Sequence, residues 1–292
     1  MPLDAGHFDI VDTLVLLGRT VLLRPYVFLF LAAFLFAASR LLGWLRTGFF
    51  FINTWLTALL CELSSTRTGI PFGWYFYTGS TVGQELYLWD VPFMDSLSFP
   101  FLLFASYCLA LWFLLPTRSI QHKAPLDQPR TLLPALSFEP ATRCSWPVLG
   151  LSCLLFALID VVIDPAALRG DRWFLGKIYF YPEAGVYFGV PLANFFGWVV
   201  VGVIALGIYR VIDRNLPDDR EAAPSRSTTL RVLLGCGLYY GVLLFNLSVT
   251  FWIGESLLGL MGLLLYTPIT TVALLRLFGR LVVRFRHNQT AT

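Results

Sequence analysis

Three acidic side chains interrupt segments of this sequence that are otherwise apolar. Glu62 closes one such segment, and Asp160 and Asp164 lie near the end of another. An acid inside a membrane helix costs about 2.5–3.5 kcal/mol, so each of them is a candidate functional residue. Asp160 and Asp164 are four residues apart, which places both on one face of a helix. Because low-dielectric surroundings favour the neutral acid, the pattern predicts proton transfer at this face.

Ordinary structural roles are also open for two of these acids. Asp164 precedes Pro165 and is suited to capping a turn, and Glu62 is close enough in sequence to pair with Arg67. Asp160 has no cationic neighbour in sequence, so a structural role explains it less well. Convergence of all three acids in one layer favours the functional interpretation.

The acids border two unusual loops, residues 62–92 and 164–191, which are dense in Gly, Pro and aromatic residues. Each loop ends in Val-Pro before the next apolar segment. The distance from Glu62 to the first Val is 29 residues, and the distance from Asp160 to the second is 30. This favours a weak internal duplication with both copies inserted in the same orientation. The alternative is that Val-Pro only begins two helices, as proline often does.

Aromatic residues in these loops have two predicted fates. Some are typical of a belt at the membrane interface, namely Trp89, Tyr179 and Tyr181. Others stand beside Gly and Pro that tighten the backbone, and we expect them to line a pocket: Tyr75, Tyr77, Tyr187 and Trp198.

Composition defines the class of protein that holds these loops. Of 292 residues, 57% are hydrophobic and 13% charged, which makes a soluble fold improbable. The net charge of +3 is small and scattered, so no nucleic-acid partner is expected. Three histidines are too few for a histidine-rich diiron centre, and the five cysteines form no C-x-x-C pair, so no metal site is predicted.

Hydropathy predicts an all-α, polytopic helical bundle with about seven transmembrane helices, and an eighth if the amphipathic segment 8–23 also crosses. The chain is predicted to be one transmembrane domain over 1–292, with a motif-bearing core at about 50–210. The approximate spans are 25–45, 48–63, 97–115, 145–163, 191–211, 230–250 and 256–275.

Basic residues predict how the chain is oriented in a cell membrane. Fifteen Lys and Arg fall on one side of the predicted spans and six on the other. This distribution places the N-terminus outside and the C-terminus in the cytoplasm. Two linkers, 116–144 and 212–229, are rich in Pro and charge and are predicted to be cytoplasmic loops without a core. No cleavable signal is expected, because acids replace the usual basic n-region.

At the two loops the sequence resembles a family of carotenoid biosynthesis membrane proteins, which includes CruF-type carotenoid 1,2-hydratases and archaeal bisanhydrobacterioruberin hydratases. The resemblance covers about residues 50–210. It departs from the family's pattern at Phe99, at Leu175 and in residues 176–183, which look like an insertion. The matching residues are Glu62, Thr68 to Tyr77 (TGIPFGWYFY), Val91-Pro92, Asp160 to Pro165 (DVVIDP), Trp173 and Gly185 to Trp198 (GVYFGVPLANFFGW).

The resemblance implies a cofactor-independent hydro-lyase that adds water to the terminal double bond of an acyclic carotenoid end, as in lycopene, γ-carotene or a fifty-carbon relative. Its expected partners are a carotenoid taken from the bilayer, membrane lipids and other carotenoid biosynthesis enzymes. The residues suit this chemistry, because a neutral acid can protonate an alkene and aromatic faces can stabilise the cation. The predicted catalytic residues are Glu62 or Asp160 as proton donor, with Asp164 and Asn194 positioning water. The predicted substrate-binding residues are Pro71, Phe72, Trp74, Tyr75, Tyr77, Trp173, Tyr187 and Trp198.

Two other functions stay open at this point. A carotenoid end-group cyclase or isomerase would form the same cation and capture it with a double bond. A lipid transporter or flippase would also use intramembrane acids, but it needs an aqueous path to both faces. The acids in this sequence cluster near one predicted side, which favours the enzyme.

Overall fold

The structure is a computed structural model that describes residues 10–118, 133–217 and 224–278. The described chain is mostly helical. Its helices are α1 (Ile10–Leu23), α2 (Pro25–Leu42), α3 (Trp44–Thr68), α4 (Phe93–Ser96), α5 (Ser98–Leu114), α6 (Pro140–Arg143), α7 (Trp146–Ala167), α8 (Leu192–Asn215), α9 (Arg226–Trp252) and α10 (Ser256–Leu277). Its strands have two residues each: β1 (Phe76–Tyr77), β2 (Tyr87–Leu88), β3 (Val91–Pro92), β4 (Thr117–Arg118), β5 (Ala135–Leu136) and β6 (Tyr179–Phe180).

Six helical segments in the described ranges are long and apolar enough to cross a membrane: α2, α4 with α5, α7, α8, α9 and α10. Helix α3 has 25 residues, which is a sufficient length, but polar residues such as Arg46 and Thr54 make it less apolar. The prediction of an all-α membrane protein is therefore confirmed. The count of seven or eight spans stays a prediction.

Helix α5 lies at the centre of the bundle. It is apolar on every side, and nearly all of its residues are buried, as expected for a helix surrounded by others. It packs against α3, α7 and α9, and α8 completes the core by packing against α3 and α7. Helix α1 lies apart from this core, and Thr20 is its buried residue.

Two segments differ from the predicted loops and spans. Helix α7 continues past Asp164 to Ala167 instead of ending there, with Pro165 inside its last turn. Part of the predicted linker 116–144 is packed against the bundle, because β4 pairs with β5 and the side chains of Leu136 and Phe138 are buried. The prediction of a linker without a core is therefore wrong for 133–144, whereas 119–132 and 218–223 lie outside the described residues.

The two long loops lie at the same end of the bundle and contact each other. Strand β1 of the first loop pairs with β6 of the second in antiparallel register, with Phe76 opposite Phe180 and Tyr77 opposite Tyr179. Each loop therefore extends from the end of one core helix to the start of another. Helix α3 leads into α4 and α5, and α7 leads into α8.

Candidate active site

Helices α3, α4, α7 and α8 and the two loops line a cavity of about 140 Å³. Helix α3 contributes Glu62, and α4 contributes Asp95. Helix α7 contributes Asp160 and Asp164, and α8 contributes Asn194. The rest of the wall is largely aromatic and aliphatic, so these polar groups face an apolar space.

The first loop reaches the cavity because α3 ends abruptly. Gly69 adopts a left-handed conformation with φ of 75°, and its N–H donates to the carbonyl of Ser65, which closes the helix. The chain then turns so that Phe72 packs on α8 at Gly197. A Cβ at Gly197 would lie 2.2 Å from the Phe72 ring, so glycine is required for this close approach.

The same tripeptide, Tyr-Phe-Tyr, occurs in both loops and pairs with itself. Residues 75–77 and 179–181 carry it, and the antiparallel register is centred on Phe76 and Phe180. Two identical segments paired in this way are related by a local two-fold axis. The pairing brings Tyr77 and Tyr181 into the cavity from opposite loops.

One group of polar side chains is built on α7 and α8. The Asn194 amide donates to both acids, at 2.6 Å to Asp160 and 3.2 Å to Asp164. Asp164 also accepts hydrogen bonds from the hydroxyls of Tyr179 and Tyr181, the latter at 2.9 Å. Asp164 therefore has three donors, whereas the hydrogen bond recorded for Asp160 is the one from Asn194.

A second group faces it from α3 and α4. The Tyr77 hydroxyl lies 2.7 Å from Asp95 Oδ2 and 3.3 Å from Glu62 Oε1. The other carboxyl oxygen of Glu62 is buried without a hydrogen-bond partner among the described residues. Since a tyrosine hydroxyl carries a single proton, it cannot donate to both acids at once.

Tyr77 and Tyr181, which donate to the acids of these two groups, remain neutral. Burial, followed by the nearby carboxyl groups of Asp95 and Glu62, raises the pKa of Tyr77 well above its usual value. Burial and the carboxyl groups of Asp164 and Asp160 do the same to the pKa of Tyr181. Both hydroxyls therefore keep their protons at any pH near neutral.

No ion pair among the described residues involves the four acids of the cavity, whose contacts are hydroxyl and amide groups. The described residues contain no group of three His, Cys, Asp or Glu arranged to hold a metal ion. Carboxyl groups that are hydrogen-bonded to neutral hydroxyl and amide groups can exchange protons.

Aromatic rings form the wall beside the acids. Phe99 stacks on Trp198 with ring centroids 4.4 Å apart, and Phe156 packs on the same indole at 4.6 Å. Phe72 closes the wall on the other side of Phe99. Phe72, Phe99 and Trp198 line the cavity next to the acids, and aromatic rings of this kind can stabilise a nearby cation.

Most of the residues predicted from the sequence meet in this cavity. All four predicted catalytic residues line it, together with five of the predicted binding residues. The nine are Glu62, Asp160, Asp164, Asn194, Phe72, Tyr75, Tyr77, Trp173 and Trp198.

Three predicted binding residues lie outside the cavity wall. Pro71 is in the turn after α3, where the Ile70–Pro71 peptide is cis. Trp74 is half exposed, and its ring packs against Phe76 on the outer side of β1. Tyr187 packs on Phe188 and Phe195 instead.

Both structural alternatives for the acids differ from what is observed. Arg67 pairs with Asp90 at 2.8 Å and does not contact Glu62. Asp164 does not cap a turn with its side chain, since that carboxyl group accepts from Tyr179 and Tyr181. Those two tyrosines were expected in an interfacial belt, and this prediction is wrong because strand pairing with β1 directs them inward.

The sequence predictions missed Asp95 entirely. It stands at the start of a span, where an acid is common because it interacts favourably with the helix N-terminus. A signal for it exists in the two Val-Pro pairs. Asp95 is three residues after Pro92, and Asn194 is three residues after Pro191, so the two side chains occupy equivalent positions.

Comparison with known proteins adds two matches. A family model described as "Carotenoid biosynthesis protein" matches residues 22–268. The bisanhydrobacterioruberin hydratase of Haloarcula japonica is 29% identical over 220 residues, which cover 74% of this chain and 62% of that protein. The matched region is thus less than two thirds of the relative's length. No solved structure matches the chain.

Proposed function

The chain belongs to the carotenoid biosynthesis protein family, and from this premise we propose that it hydrates the terminal double bond of an acyclic carotenoid end. One observation carries the proposal: four acids in contact with neutral donors face an apolar, aromatic cavity. Water addition to an isolated alkene needs a proton donor, a surface that tolerates a carbocation and a group that accepts a proton from water. The cavity provides side chains for each of these tasks.

A comparison of the hydrogen bonds that Asp160 and Asp164 accept favours Asp160 as the proton donor. Asp164 accepts from three donors, which stabilises its ionised form. Among the described residues Asp160 accepts only from Asn194, and it is 1% exposed, so its surroundings suit a neutral acid better. In this assignment Asp160 donates its proton to the less substituted carbon of the double bond, while Asp164 and Asn194 hold the acid in place and position water. Glu62 is the alternative donor.

The tertiary cation that follows is proposed to lie against the ring wall. Trp198 and Phe99 present stacked aromatic faces next to the acids, and Tyr75 packs in the same wall. Aromatic faces stabilise cations by roughly 0.5–2 kcal/mol each in such settings. Water then captures the cation and gives a tertiary alcohol.

The long hydrocarbon tail is proposed to enter sideways from the bilayer between α2 and α9. Tyr26 and Phe30 of α2 and Phe245 of α9 line the cavity on that side. Tyr26 stacks on Phe245 at 5.3 Å, and Trp173 covers the pair from the second loop. The Trp173 indole N–H also donates to the Ala166 carbonyl at 3.0 Å. A polyene that replaces the ring contact between Tyr26 and Phe245 is expected to leave this hydrogen bond in place.

Expression in a bacterium that accumulates lycopene or γ-carotene tests this function. Pigments extracted from the cells are analysed by mass spectrometry, with cells carrying an empty vector as the control. A product heavier by one water supports the hydratase, and unchanged mass with a new ring supports a cyclase. Unchanged pigment under confirmed expression contradicts both, and movement of a lipid between leaflets would then be the function to test.

We also propose that the N-terminus is outside the cell membrane and the C-terminus is in the cytoplasm. The proposal is supported by the position of Arg46, Arg143 and Arg210, which lie at the end of the bundle opposite the cavity, because basic residues are enriched on the cytoplasmic side of membrane proteins. Reporter fusions at each terminus test the orientation. A reporter that is active in the cytoplasm at the C-terminus is the expected result, and the reverse pattern would contradict it.

A further inference from the structure

When Asp160 is the proton donor, the polar side chains at α3 and α4 have no assigned role in the reaction. These side chains are Glu62, Tyr77 and Asp95, and all three line the cavity opposite Asp160. On the basis of the proposed function, we infer that the Asp95 carboxylate is the catalytic base. It accepts the proton that water releases, with Tyr77 and Glu62 as its positioning residues.

The hydrogen bonds of the Tyr77 hydroxyl favour an ionised Asp95. Tyr77 lies closer to Asp95 than to Glu62, at 2.7 Å against 3.3 Å, and it has a single proton to donate. If Tyr77 donates to Asp95, its remaining contact with Glu62 is satisfied only when Glu62 donates to the phenol oxygen. The chain of bonds then runs from a protonated Glu62 through Tyr77 to an ionised Asp95. Its end is a carboxylate that faces the cavity.

The local two-fold relation between the loops also indicates a role for Asp95. The paired Tyr-Phe-Tyr segments relate Tyr77 to Tyr181, and the spacing from Val-Pro relates Asp95 to Asn194. An amide can orient a water molecule, but it is far too weak a base to accept its proton, whereas a carboxylate can do both. The two halves of the site have therefore diverged at this position. The half built on α3 and α4 has the base, and the half built on α7 and α8 has the donor and the amide.

Proton transfer balances in this arrangement. Asp160 gives a proton to the less substituted alkene carbon, which leaves a tertiary cation and the Asp160 carboxylate. The oxygen of water bonds to the cationic carbon, one of its O–H bonds breaks, and that proton goes to Asp95. The alcohol leaves, and the proton returns from Asp95 to Asp160 through water in the cavity. One water is consumed in each cycle, and neither an oxidant nor a reductant is required.

Exchange in deuterated water separates the two acids. Purified full-length protein is incubated with lycopene in detergent, and both the hydrated product and the recovered lycopene are analysed by mass spectrometry. Without Asp95 the cation still forms, but it returns to the alkene by losing a proton. Asp95→Asn should therefore lower product by about 10²-fold or more while recovered lycopene still gains deuterium. Asp160→Asn should lose both signals.

Matched variants show whether Asp95 acts chemically or only holds Tyr77. Asp95→Glu keeps a proton acceptor and should retain more product than Asp95→Asn, which keeps the shape and the hydrogen bond to Tyr77. Asp171→Asn, an exposed acid outside the cavity, should behave as the unaltered protein. The inference is overturned if Asp95→Asn keeps product within about threefold, exceeds Asp95→Glu, or loses deuterium exchange together with product. An unaltered protein that neither hydrates nor exchanges contradicts the proposed function and this inference with it.

Discussion

Two buried groups of acids lie at opposite ends of the same helices, and they differ in what surrounds the charge. At one end Asp213 of α8 accepts from Arg46 at 2.6 Å and from Arg143 at 2.8 Å. At the other end Asp160 and Asp164 of α7 contact tyrosine hydroxyls and an amide. Two guanidinium groups pair with the Asp213 carboxylate. The cavity acids have hydroxyl and amide partners in place of cations.

The comparison teaches that burial alone does not mark a catalytic acid. Both groups are almost fully shielded from solvent, with Asp160 1% exposed and Asp213 2% exposed. Asp213 lies on α8 and binds Arg46 of α3 and Arg143 of α6, so its ion pairs hold three helices together. This role is structural. The acids of the cavity join loops that differ from ordinary connections in their aromatic content. The nature of the partner distinguishes the two tasks.

The largest expected effect is on activity at the cavity end. Asp160→Asn should lower hydrated product by about 10²–10⁴-fold, because the amide cannot supply a proton to the alkene. Protein yield and thermal stability should stay near those of the unaltered protein, because the amide keeps the size of the side chain. Product from pigment extracts is normalised to the amount of membrane protein, and Asp171→Asn serves as the matched control.

Glu62→Gln tests the alternative donor in the same assay, with exposed Glu183→Gln as its control. The variant is expected to lose most of the product, since the hydrogen-bond chain through Tyr77 to Asp95 is broken. Retained activity in either Asp160→Asn or Glu62→Gln would remove that residue from the mechanism.

At the opposite end the same type of change should affect stability instead. Asp213→Asn leaves Arg46 and Arg143 without their carboxylate, and breaking a buried ion pair costs about 3–5 kcal/mol. The midpoint of thermal unfolding in detergent should fall markedly, while the folded fraction keeps its specific activity. Full stability combined with lost activity would erase the distinction between the two groups.

A smaller effect is expected from the donors to Asp164. Tyr181→Phe removes a hydroxyl that donates at 2.9 Å, and a hydrogen bond to a charged group contributes about 1.5–3 kcal/mol. Product formation should fall by roughly 10- to 100-fold. The midpoint of thermal unfolding should also fall, because the same hydrogen bond contributes to stability. Trp74→Phe is the control in the first loop, because its half-exposed ring lies outside the cavity. Equal losses in both variants would count against a specific role for the hydroxyl.

The smallest effect concerns an ion pair near the loops. Glu255 contacts Arg169 at 3.0 Å and also Arg172. Partial burial opposes ionisation, but the two guanidinium groups outweigh it and hold the pKa of Glu255 below its usual value. Its contribution to stability is therefore present above the ordinary glutamate pKa of about 4.3 and is lost as pH falls below it. The unfolding midpoint of Glu255→Gln should differ slightly from the unaltered protein at pH 7 and converge with it in acid. A difference that grows in acid would show the opposite sign.

Hydropathy predicted most of the bundle, and for a clear physical reason. A helix in a membrane must be apolar over its whole length, so spans such as α5 and α8 are evident in the sequence. The same rule made Glu62, Asp160 and Asp164 conspicuous, because acids are costly in such segments. Hydropathy did not predict the packing of residues 133–144, because the prolines and charges there outnumber Leu136 and Phe138, which are buried in the fold.

The remaining site residues depend on pairing between distant loops. Tyr179 and Tyr181 resemble interfacial aromatics until β6 pairs with β1, about 100 residues away in sequence. In sequence, Asp95 resembles an ordinary acid at the start of a helix. In the structure, its Oδ2 lies 2.7 Å from the Tyr77 hydroxyl. Hydropathy reports the cost of an isolated residue in a span. It carries no information about which loop strands pair. The pairing of β1 with β6 completes the cavity.

Incubation of the purified protein with lycopene in water labelled with heavy oxygen tests the central claim most directly. Mass spectrometry of the product reports whether one labelled water has been added and whether its label is in the alcohol. We expect a labelled tertiary alcohol from the unaltered protein and from Asp171→Asn, and none from Asp160→Asn. An unlabelled product, or a labelled alcohol formed equally well by Asp160→Asn, would contradict the claim that the buried acids of this cavity carry out the hydration.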